Sequence, residues 1–352
     1  MHDSEASSVN LGGGRHQISK GVKSVDLEKI AANPAAAIIQ FVNPLASIEI
    51  DHLEKIVFSK RPDILLRVYG HYGHDCDLTF VERIPSLRKF SADSMLKAQG
   101  IEVVTRLENL EELGIGIFSL DNFGFLEKIK PEIKALYLEQ TFSKKPRIET
   151  VQRFTELEFL YLEGQQKGIE AINQLKKLRK IVLRSISTKS VDFLTELPEL
   201  WSVDIKLGGI KNFDALATLA KIKFLELWQV RDLRDLSFIS KLKTLQNLFI
   251  QSLKQVNCLP NFNNCISLRR IYLENLKGLK DLSSLRTASN LEEFIYAMAQ
   301  NQKIENIVPV LENPSVKSVL AGFGSMKKNE RFEELARRFG KDKYSHSEFR
   351  YD

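Results

Sequence analysis

The chain has 352 residues, of which 43% are apolar, and its 51 basic and 45 acidic residues give a formal charge of +6. This length suffices for a sizeable core, and the small charge excess permits an acidic partner without requiring nucleic acid or a membrane. Three cysteines do not make a disulfide framework, and we find neither a signal-peptide pattern nor an apolar run of about 18 residues. We therefore expect a soluble protein of a reducing, cytoplasmic compartment.

The first 86 residues show no regular repeat. Residues 1–24 are rich in glycine and serine and weakly apolar, which predicts disorder. Residues 25–86 are predicted to form an N-terminal cap. They contain two helix-compatible stretches, "LEKIAANPAAAIIQFV" and "HLEKIVF", followed by the strand-like "ILLRVY".

From Leu87 onward the hexapeptide L-x-x-L-x-L recurs, with other apolar residues at some of its positions. Eleven units begin at intervals of 23, 23, 24, 21, 22, 22, 23, 23, 23 and 25 residues. Ten consecutive near-equal spacings indicate an internal repeat rather than chance matches. The units begin at Leu87, Leu110, Ile133, Leu157, Leu178, Leu200, Ile222, Leu245, Leu268, Leu291 and Val316.

Each unit has two halves with different hydrophobic periods. The first half alternates apolar and other residues over about five positions, which predicts a short strand. The second half places an apolar residue at every third position, as in Leu227, Val230, Leu233 and Leu236. This spacing predicts a tight helical turn, because side chains at i and i+3 are then aligned. One unit cannot bury its leucines alone, so we predict that the units stack.

This pattern resembles the leucine-rich repeat superfamily, and within it the short bacterial, internalin-like class with units of about 22 residues. The resemblance covers residues 87–325. It implies an α/β solenoid, a curved leucine-rich repeat stack with a parallel concave sheet and short helical or 3-10 convex arms. The family's usual asparagine, three positions after the last strand leucine, is absent from every unit. Residues 326–352 are predicted to form a C-terminal cap helix, within "NERFEELARRFGKDK", and a tail.

Aromatic residues are enriched on one side of the predicted strands. The fourth and sixth motif residues point into the core, so the third, fifth and seventh form the other side of the sheet, here called the outer face. Seven of these 33 positions are aromatic, against 31 aromatic residues in all 352. Such clusters are typical of protein-binding surfaces. The predicted anchors are Tyr137, Phe159, Tyr161, Phe224, Trp228, Phe249 and Tyr272. The residues predicted to set specificity are Lys180, Arg184, Asp204, Glu226 and Arg270.

A simpler explanation exists for the same aromatic residues. Aromatic side chains are favoured on any pleated sheet, and they stabilise neighbouring strands without a ligand. We favour the binding interpretation because the residues cluster on one long face that has no predicted partner element.

Two further groups of residues could bind ligands. His71, His74 and Cys76 lie close together in "HYGHDCD", but no second ligand pair follows at zinc-finger spacing, so we predict no metal and no cofactor. Basic clusters at 144–147, 176–180 and in "ARRFGKDK" could contact RNA. However, the outer face has eight acidic and five basic residues, the opposite of a track for phosphates.

The sequence has no serine nucleophile elbow, H-E-x-x-H helix or P-loop, so we predict that the chain is not an enzyme. We predict a protein-protein interaction module that binds a protein partner on its concave outer face, as a scaffold, inhibitor or immunity-type blocker. The alternative is an RNA-contacting protein that uses the basic flanks. Binding that depends steeply on salt would distinguish the RNA alternative. A third possibility is that the outer face has no partner. In that case neither substitution of the aromatic residues nor substitution of the lysines and arginines would have an effect.

Overall fold

The computed structural model describes residues 7–73, 75–142 and 146–352. The chain divides into two compact units, residues 1–175 and residues 176–352. Both units combine a sheet with a series of short helical segments, as the alternation of the two hydrophobic periods predicts.

The first unit has ten strands among its described residues. These are β1 (Ser8–Gly12), β2 (Arg15–Ile18), β3 (Ile38–Phe41), β4 (Leu65–Tyr69), β5 (Cys76–Asp77), β6 (Lys89–Met95), β7 (Ala98–Gln99), β8 (Glu112–Ile117), β9 (Ala135–Leu138) and β10 (Phe159–Glu163). The order in its main sheet is β1-β2-β3-β4-β6-β8-β9-β10, and β5 pairs with β7 separately. Among the pairings of these described strands, only that of β1 with β2 is antiparallel.

Short helices connect these strands. Helix α1 spans Ser24–Ala32, and α2 spans Ser47–His52 and continues as a π-helical stretch, Leu53–Phe58. A 3-10 segment follows each of β5, β7, β8, β9 and β10, as the period of three predicts. These segments are Thr79–Arg83, Ile101–Arg106, Gly124–Lys128, Glu149–Arg153 and Ile169–Gln174.

The second unit has eight strands, all parallel, that pair in chain order. They are β11 (Lys180–Arg184), β12 (Ser202–Lys206), β13 (Phe224–Trp228), β14 (Asn247–Gln251), β15 (Arg270–Glu274), β16 (Glu293–Ala297), β17 (Ser318–Ala321) and β18 (Asp342–Lys343). Its 3-10 segments are Asp192–Leu194, Asp214–Thr218, Ser237–Lys241, Ser283–Thr287 and Ile304–Ile307. Its α-helices are α3 (Val308–Leu311) and α4 (Met326–Arg338), and α4 lies in the segment predicted to form a cap helix.

The motif leucines form the core of both units. Leu160 and Leu162, the fourth and sixth residues of their unit, are fully buried, whereas Phe159 and Tyr161 between them are partly exposed. Burying one leucine side chain stabilises a fold by about 2 kcal/mol, so each unit adds its own increment to the stack. The predicted repeat architecture is thereby confirmed.

In the turns that follow the strands, main-chain groups find hydrogen-bond partners without the asparagine that is usual in leucine-rich repeats. In the second unit the eighth position is left-handed, with φ between 50° and 61°, at Ser185, Leu207, Gln229, Ser252, Asn275 and Met298. The N–H of Leu207 donates to the carbonyl of Trp228 (2.7 Å), and the N–H of Gln229 to that of Gln251 (2.9 Å). In the first unit the fully buried Gln165, at the usual asparagine position, donates to the Glu139 carbonyl (2.7 Å) and accepts from the Glu163 N–H (3.2 Å).

The first residues of the described chain differ from the prediction. Residues 7–24, predicted to be disordered, contain the β1–β2 hairpin, and β2 pairs with β3. The glycine-rich stretch is its turn, because Gly12, Gly13 and Gly14 all have positive φ, which glycine adopts without strain. The helix-compatible "AAAIIQFV" also differs. It forms β3, since α1 ends before Pro34 and the residue preceding a proline disfavours helix.

Among the described residues, no helix is both long enough and apolar enough to cross a membrane.

Candidate functional site

Three predicted anchors of the first unit pack against one another on the outer face. Tyr137 and Tyr161 are opposite each other in β9 and β10. The centre of the Tyr137 ring lies 4.8 Å from that of Phe159 and 6.2 Å from that of Tyr161. All three side chains are partly exposed. The cluster therefore combines the cross-strand pairing that stabilises a sheet with an accessible aromatic surface.

Carboxylates border this aromatic cluster. The hydroxyl of Tyr161 donates to Glu163 Oε2 (2.9 Å). The Glu139 carboxylate lies against Gly116, and a Cβ atom at residue 116 would collide with it. Burial, reinforced by the charges of Asp93 and Glu163, raises the pKa of Glu139 to about 7. The Glu139 carboxyl therefore changes its charge near neutral pH.

A polar network on β2, β3, β4 and β6 was not predicted from the sequence. The guanidinium of Arg67 donates to both oxygens of Asp93 (2.6 and 2.7 Å) and lies 4.4 Å from the centre of the Tyr69 ring. The Tyr69 hydroxyl in turn donates to Gln17 (3.0 Å), and Gln40 donates to the same Gln17 oxygen (2.9 Å). The alternation in "ILLRVY" places Arg67 and Tyr69 on one side of β4. This alternation is the one sequence feature from which their proximity could have been predicted.

Aromatic rings of the second unit contact cations and one another. Trp228 lies under the Arg184 guanidinium, whose central carbon is 5.4 Å from the ring centre. The rings of Phe249 and Tyr272 pack edge to face on β14 and β15, with centres 4.7 Å apart. Trp228, Phe249 and Tyr272 remain partly exposed, as a contact surface requires.

A single lysine lies between the two carboxylates of the acidic pair predicted between the aromatic groups. Lys206 Nζ lies 2.9 Å from Glu226 Oε2 and 3.8 Å from Asp204 Oδ2. Burial, and then the Glu226 charge, raise the pKa of Asp204 to about 7, and Lys206 and Lys180 oppose this. Asp204 Oδ1 is buried and accepts no hydrogen bond from the part of the chain that the structure describes.

The C-terminal segment contacts two of the predicted site residues. Residues 345–352 are here called the tail. The ring centres of Tyr351 and Phe224 are 6.4 Å apart, and the central carbon of the Arg270 guanidinium lies 5.0 Å from the centre of the Phe349 ring. Arg270 is only 8% exposed and forms an ion pair with Glu293. The sequence predicted that Arg270 and Glu226 face solvent, but both are buried, with 8% and 7% of their surface exposed, whereas Phe224 stays partly exposed beside the tail. The periodicity of a strand does not reveal a distant segment that packs on it.

The structure places all twelve predicted residues on strands of the outer face. It brings together the Tyr137–Phe159–Tyr161 group in the first unit. In the second unit it brings together Arg184 with Trp228, Phe249 with Tyr272, and Asp204 with Glu226 through Lys206. Lys180 lies over Trp201, which was not predicted, with 4.8 Å from Nζ to the ring centre, and its charge also acts on Asp204. Whether a partner uses these residues remains a prediction.

The possible metal ligands do not form a site among the described residues. No group of three or more histidine, cysteine or acidic side chains there could hold a metal ion. His71 and Cys76 are buried, and His74 lies outside the described residues. Burial, and then the charge of Asp77, raise the pKa of the Cys76 thiol to about 12.

The basic clusters are largely engaged with protein groups. Lys176 pairs with Glu196 (3.6 Å), and Lys343 pairs with Glu333 (2.7 Å). The buried Lys341 donates to two main-chain carbonyls. Lys144 and Lys145 lie outside the described residues. Cations held by neighbouring acids are poorly placed to neutralise phosphates, so the RNA alternative is not favoured.

No family model matches the chain, and no curated protein matches it. Among solved structures it is similar to a leucine-rich repeat protein of Leptospira interrogans, with a TM-score of 0.50 and 16% identity over 94% of this chain and 89% of that one. It is also similar to an internalin of Listeria monocytogenes (TM-score 0.43, 15% identity, 80% and 77% covered). A third similar structure is the leucine-rich repeat domain of the type III effector XopL (TM-score 0.40, 17% identity, 53% and 67% covered). The Leptospira similarity and the repeat geometry show that this chain has the leucine-rich repeat fold.

Proposed function

We propose that the chain is a non-catalytic module that binds a protein partner on its outer face. The observation that supports this most directly is the arrangement of the aromatic side chains. Tyr137, Phe159 and Tyr161 in the first unit are grouped and partly exposed, and so are Phe249 and Tyr272 in the second. Tyrosine, tryptophan and arginine are the residue types that dominate the energetics of protein interfaces.

The neighbouring charges suit a role in specificity. Arg184 covers Trp228, and Lys206 neutralises Glu226 within the outer face. These charges already interact within the outer face. A protein that binds there therefore has to offer complementary charged or polar groups in the same places, and a protein without such groups is rejected. A scaffold, an inhibitor and an immunity-type blocker all use a surface of this kind. The location we propose is the bacterial cytoplasm, where a reducing medium keeps the free thiols of Cys76, Cys258 and Cys265 reduced.

The test compares partner capture by the wild type and by a double variant, Tyr161→Ala with Trp228→Ala. The immobilised proteins are incubated with lysate of the source cells, and retained proteins are identified by mass spectrometry. Truncating an anchor at the centre of an interface costs about 2 kcal/mol, which weakens binding about 30-fold. We expect the double variant to lose a protein that the wild type retains, with its fold intact by circular dichroism and its melting temperature only slightly lowered.

A matched control removes equally apolar side chains away from the outer face. Tyr72 and Phe142 are 60% and 67% exposed, and both follow the end of a strand. Tyr72→Ala with Phe142→Ala should retain the same protein as the wild type. Equal capture by all three proteins would contradict the proposal. Recovery of nothing but nucleic acid that salt removes would favour the basic flanks instead.

A further inference from the structure

A row of four side chains borders the outer face at the N-terminal ends of strands β12 to β15. We call this row the rim, and it consists of the second motif residues Trp201, Lys223, Gln246 and Arg269. Its spacing is regular because each main-chain carbonyl in the row accepts two N–H groups of the next unit, as the Lys223 carbonyl does from Gln246 and Asn247. Neighbouring rim residues are therefore about 4.8 Å apart, the separation of adjacent strands.

The rim holds the two aromatic side chains of the tail. The Tyr351 ring lies 5.0 Å from Trp201, and the Phe349 ring lies 4.8 Å from Tyr351, between ring centres. The guanidinium of Arg269 lies 4.9 Å from the centre of the Phe349 ring. These distances are those of edge-to-face and cation–π contacts, which are specific for aromatic rings.

Polar groups of the rim bind the main chain and the acidic end of the tail. Arg269 donates to the Arg350 carbonyl (2.7 Å) and forms an ion pair with Asp352 (3.2 Å). Gln246 accepts from the Asp352 N–H (3.2 Å), and Lys223 donates to the Asp352 main-chain oxygen. Beside the rim, Asn247 donates to the Tyr351 hydroxyl (3.1 Å). The side chains of Phe349, Tyr351 and Asp352, the Arg350 carbonyl and the Asp352 main chain thus each have a defined partner.

The tail is bound as a ligand is bound rather than as part of the core. It has no regular secondary structure, and all of its residues are exposed except Phe349 and Tyr351, which are partly exposed. The last residue before it, Tyr344, is buried and donates its N–H to the Val319 carbonyl (3.0 Å), which marks the end of the stack. The tail can therefore leave the rim without exposing the leucine core.

We propose that the rim is a recognition site for an extended protein segment with an aromatic–any–aromatic–acidic sequence, and that the tail occupies it in cis. A partner segment of the same chemistry binds by displacing the tail. The identity of the partner rests on the proposed function, but occupation of the rim by such a segment does not. The tail also shields Phe224 and Arg270, so its displacement exposes part of the outer face.

The first experiment measures binding of a labelled, C-terminally amidated peptide with the sequence of residues 345–352, SHSEFRYD. Fluorescence anisotropy is recorded with the full-length wild type and with a released variant, Phe349→Ala with Tyr351→Ala. A tethered segment competes at an effective concentration of about 1 mM, so for an intrinsic Kd of about 100 μM the wild type should bind the peptide about tenfold more weakly. A peptide with both aromatic residues replaced by alanine should bind neither protein.

The rim is tested by two further substitutions in the released variant. Trp201→Ala removes the aromatic contact and Arg269→Gln removes the ion pair, so each should weaken peptide binding at least tenfold at an unchanged melting temperature. Absence of peptide binding to the folded released variant would overturn the proposal, as would equal binding by wild type and released variant. A wild-type dimer that the released variant does not form would also overturn it, because the tail would then be exchanged between copies.

Capture from lysate separates this inference from the proposed function. If the partner uses the rim, the released variant should retain several times more of it than the wild type, and free peptide should compete. Unchanged capture by the released variant would overturn the displacement step. The proposed function would still stand if the variant Tyr161→Ala with Trp228→Ala loses the partner. If the peptide binds the rim but this variant still retains the partner, the proposed function fails and the rim inference stands.

Discussion

The substitution Asp204→Asn should make the protein more stable at high pH. Asp204 Oδ1 is buried without a hydrogen-bond donor among the described residues, and burial with the neighbouring Glu226 charge raises the pKa of Asp204 to about 7. Lys206 does not depend on Asp204, since its nearer partner is Glu226 at 2.9 Å. Asparagine has almost the same shape and no charge, so it avoids the cost of burying a carboxylate.

The magnitude follows from linkage between protonation and folding. The Asp204 pKa is raised from 3.8 to about 7 on folding, so between these values the native state binds more protons than the unfolded state. Stability therefore falls as the pH rises through this window and does not recover above it. Taking 1.36 kcal/mol per pKa unit, the wild type should lose about 2–3 kcal/mol between pH 5 and pH 8 that the variant does not lose.

The assay is urea unfolding followed by circular dichroism at pH 5 and pH 8. The difference in unfolding free energy, variant minus wild type, should be larger at pH 8 by at least about 1 kcal/mol. Asp121→Asn, at an exposed carboxylate, is the matched control and should show no such dependence. A variant that is less stable at both pH values, or equally affected at both, would refute the argument that the buried charge is the cause.

Three further substitutions test the same unit and the turns by the same unfolding assay. Lys206→Met removes the cation beside Glu226 and Asp204 and should cost about 3 kcal/mol at pH 8. The cost should be smaller at pH 5, because the pKa of Asp204 is raised to about 7 and its carboxyl is protonated there; an equal cost at both pH values would contradict this. Gln165→Ala leaves the part-buried Glu139 carbonyl and Glu163 N–H without this partner and should cost about 2 kcal/mol. Gly208→Ala should cost more than about 1 kcal/mol, because φ is +70° and a Cβ would collide with the main chain of the preceding unit, whereas Gly209→Ala, which has room, is the near-neutral control.

The strands could be predicted closely because their signal is local. The third and seventh motif residues are the first and last residues of β10, β11, β12, β13, β14 and β15. The 3-10 segments were predicted by the period of three in the same way. The β1–β2 hairpin was missed because a four-residue strand shows too little alternation, and its glycines indicate a turn and disorder equally well.

The candidate site was predictable only in part, because a period of two identifies which side of a strand a residue occupies but not what covers it. The aromatic groups at Tyr137 and Phe249 follow from position alone, since neighbours in a parallel sheet share one register. The cover over Phe224 does not, because Tyr351 is 127 residues further along the chain (351 − 224). Contacts at such separations have no periodic signature in one sequence.

This difference decides how substitutions on the outer face should be interpreted. Trp228 and Tyr272 contact side chains of the sheet itself, Arg184 and Phe249, so truncating either anchor tests partner binding directly. Phe224 lies against the tail. Phe224→Ala therefore removes a contact that holds Tyr351, in addition to removing an anchor from the outer face. If the rim binds a partner segment by displacement, a weaker tail favours the partner while a lost anchor opposes it. The net effect of Phe224→Ala on capture should then be smaller than that of Trp228→Ala, and should approach it in a protein whose tail has already been released.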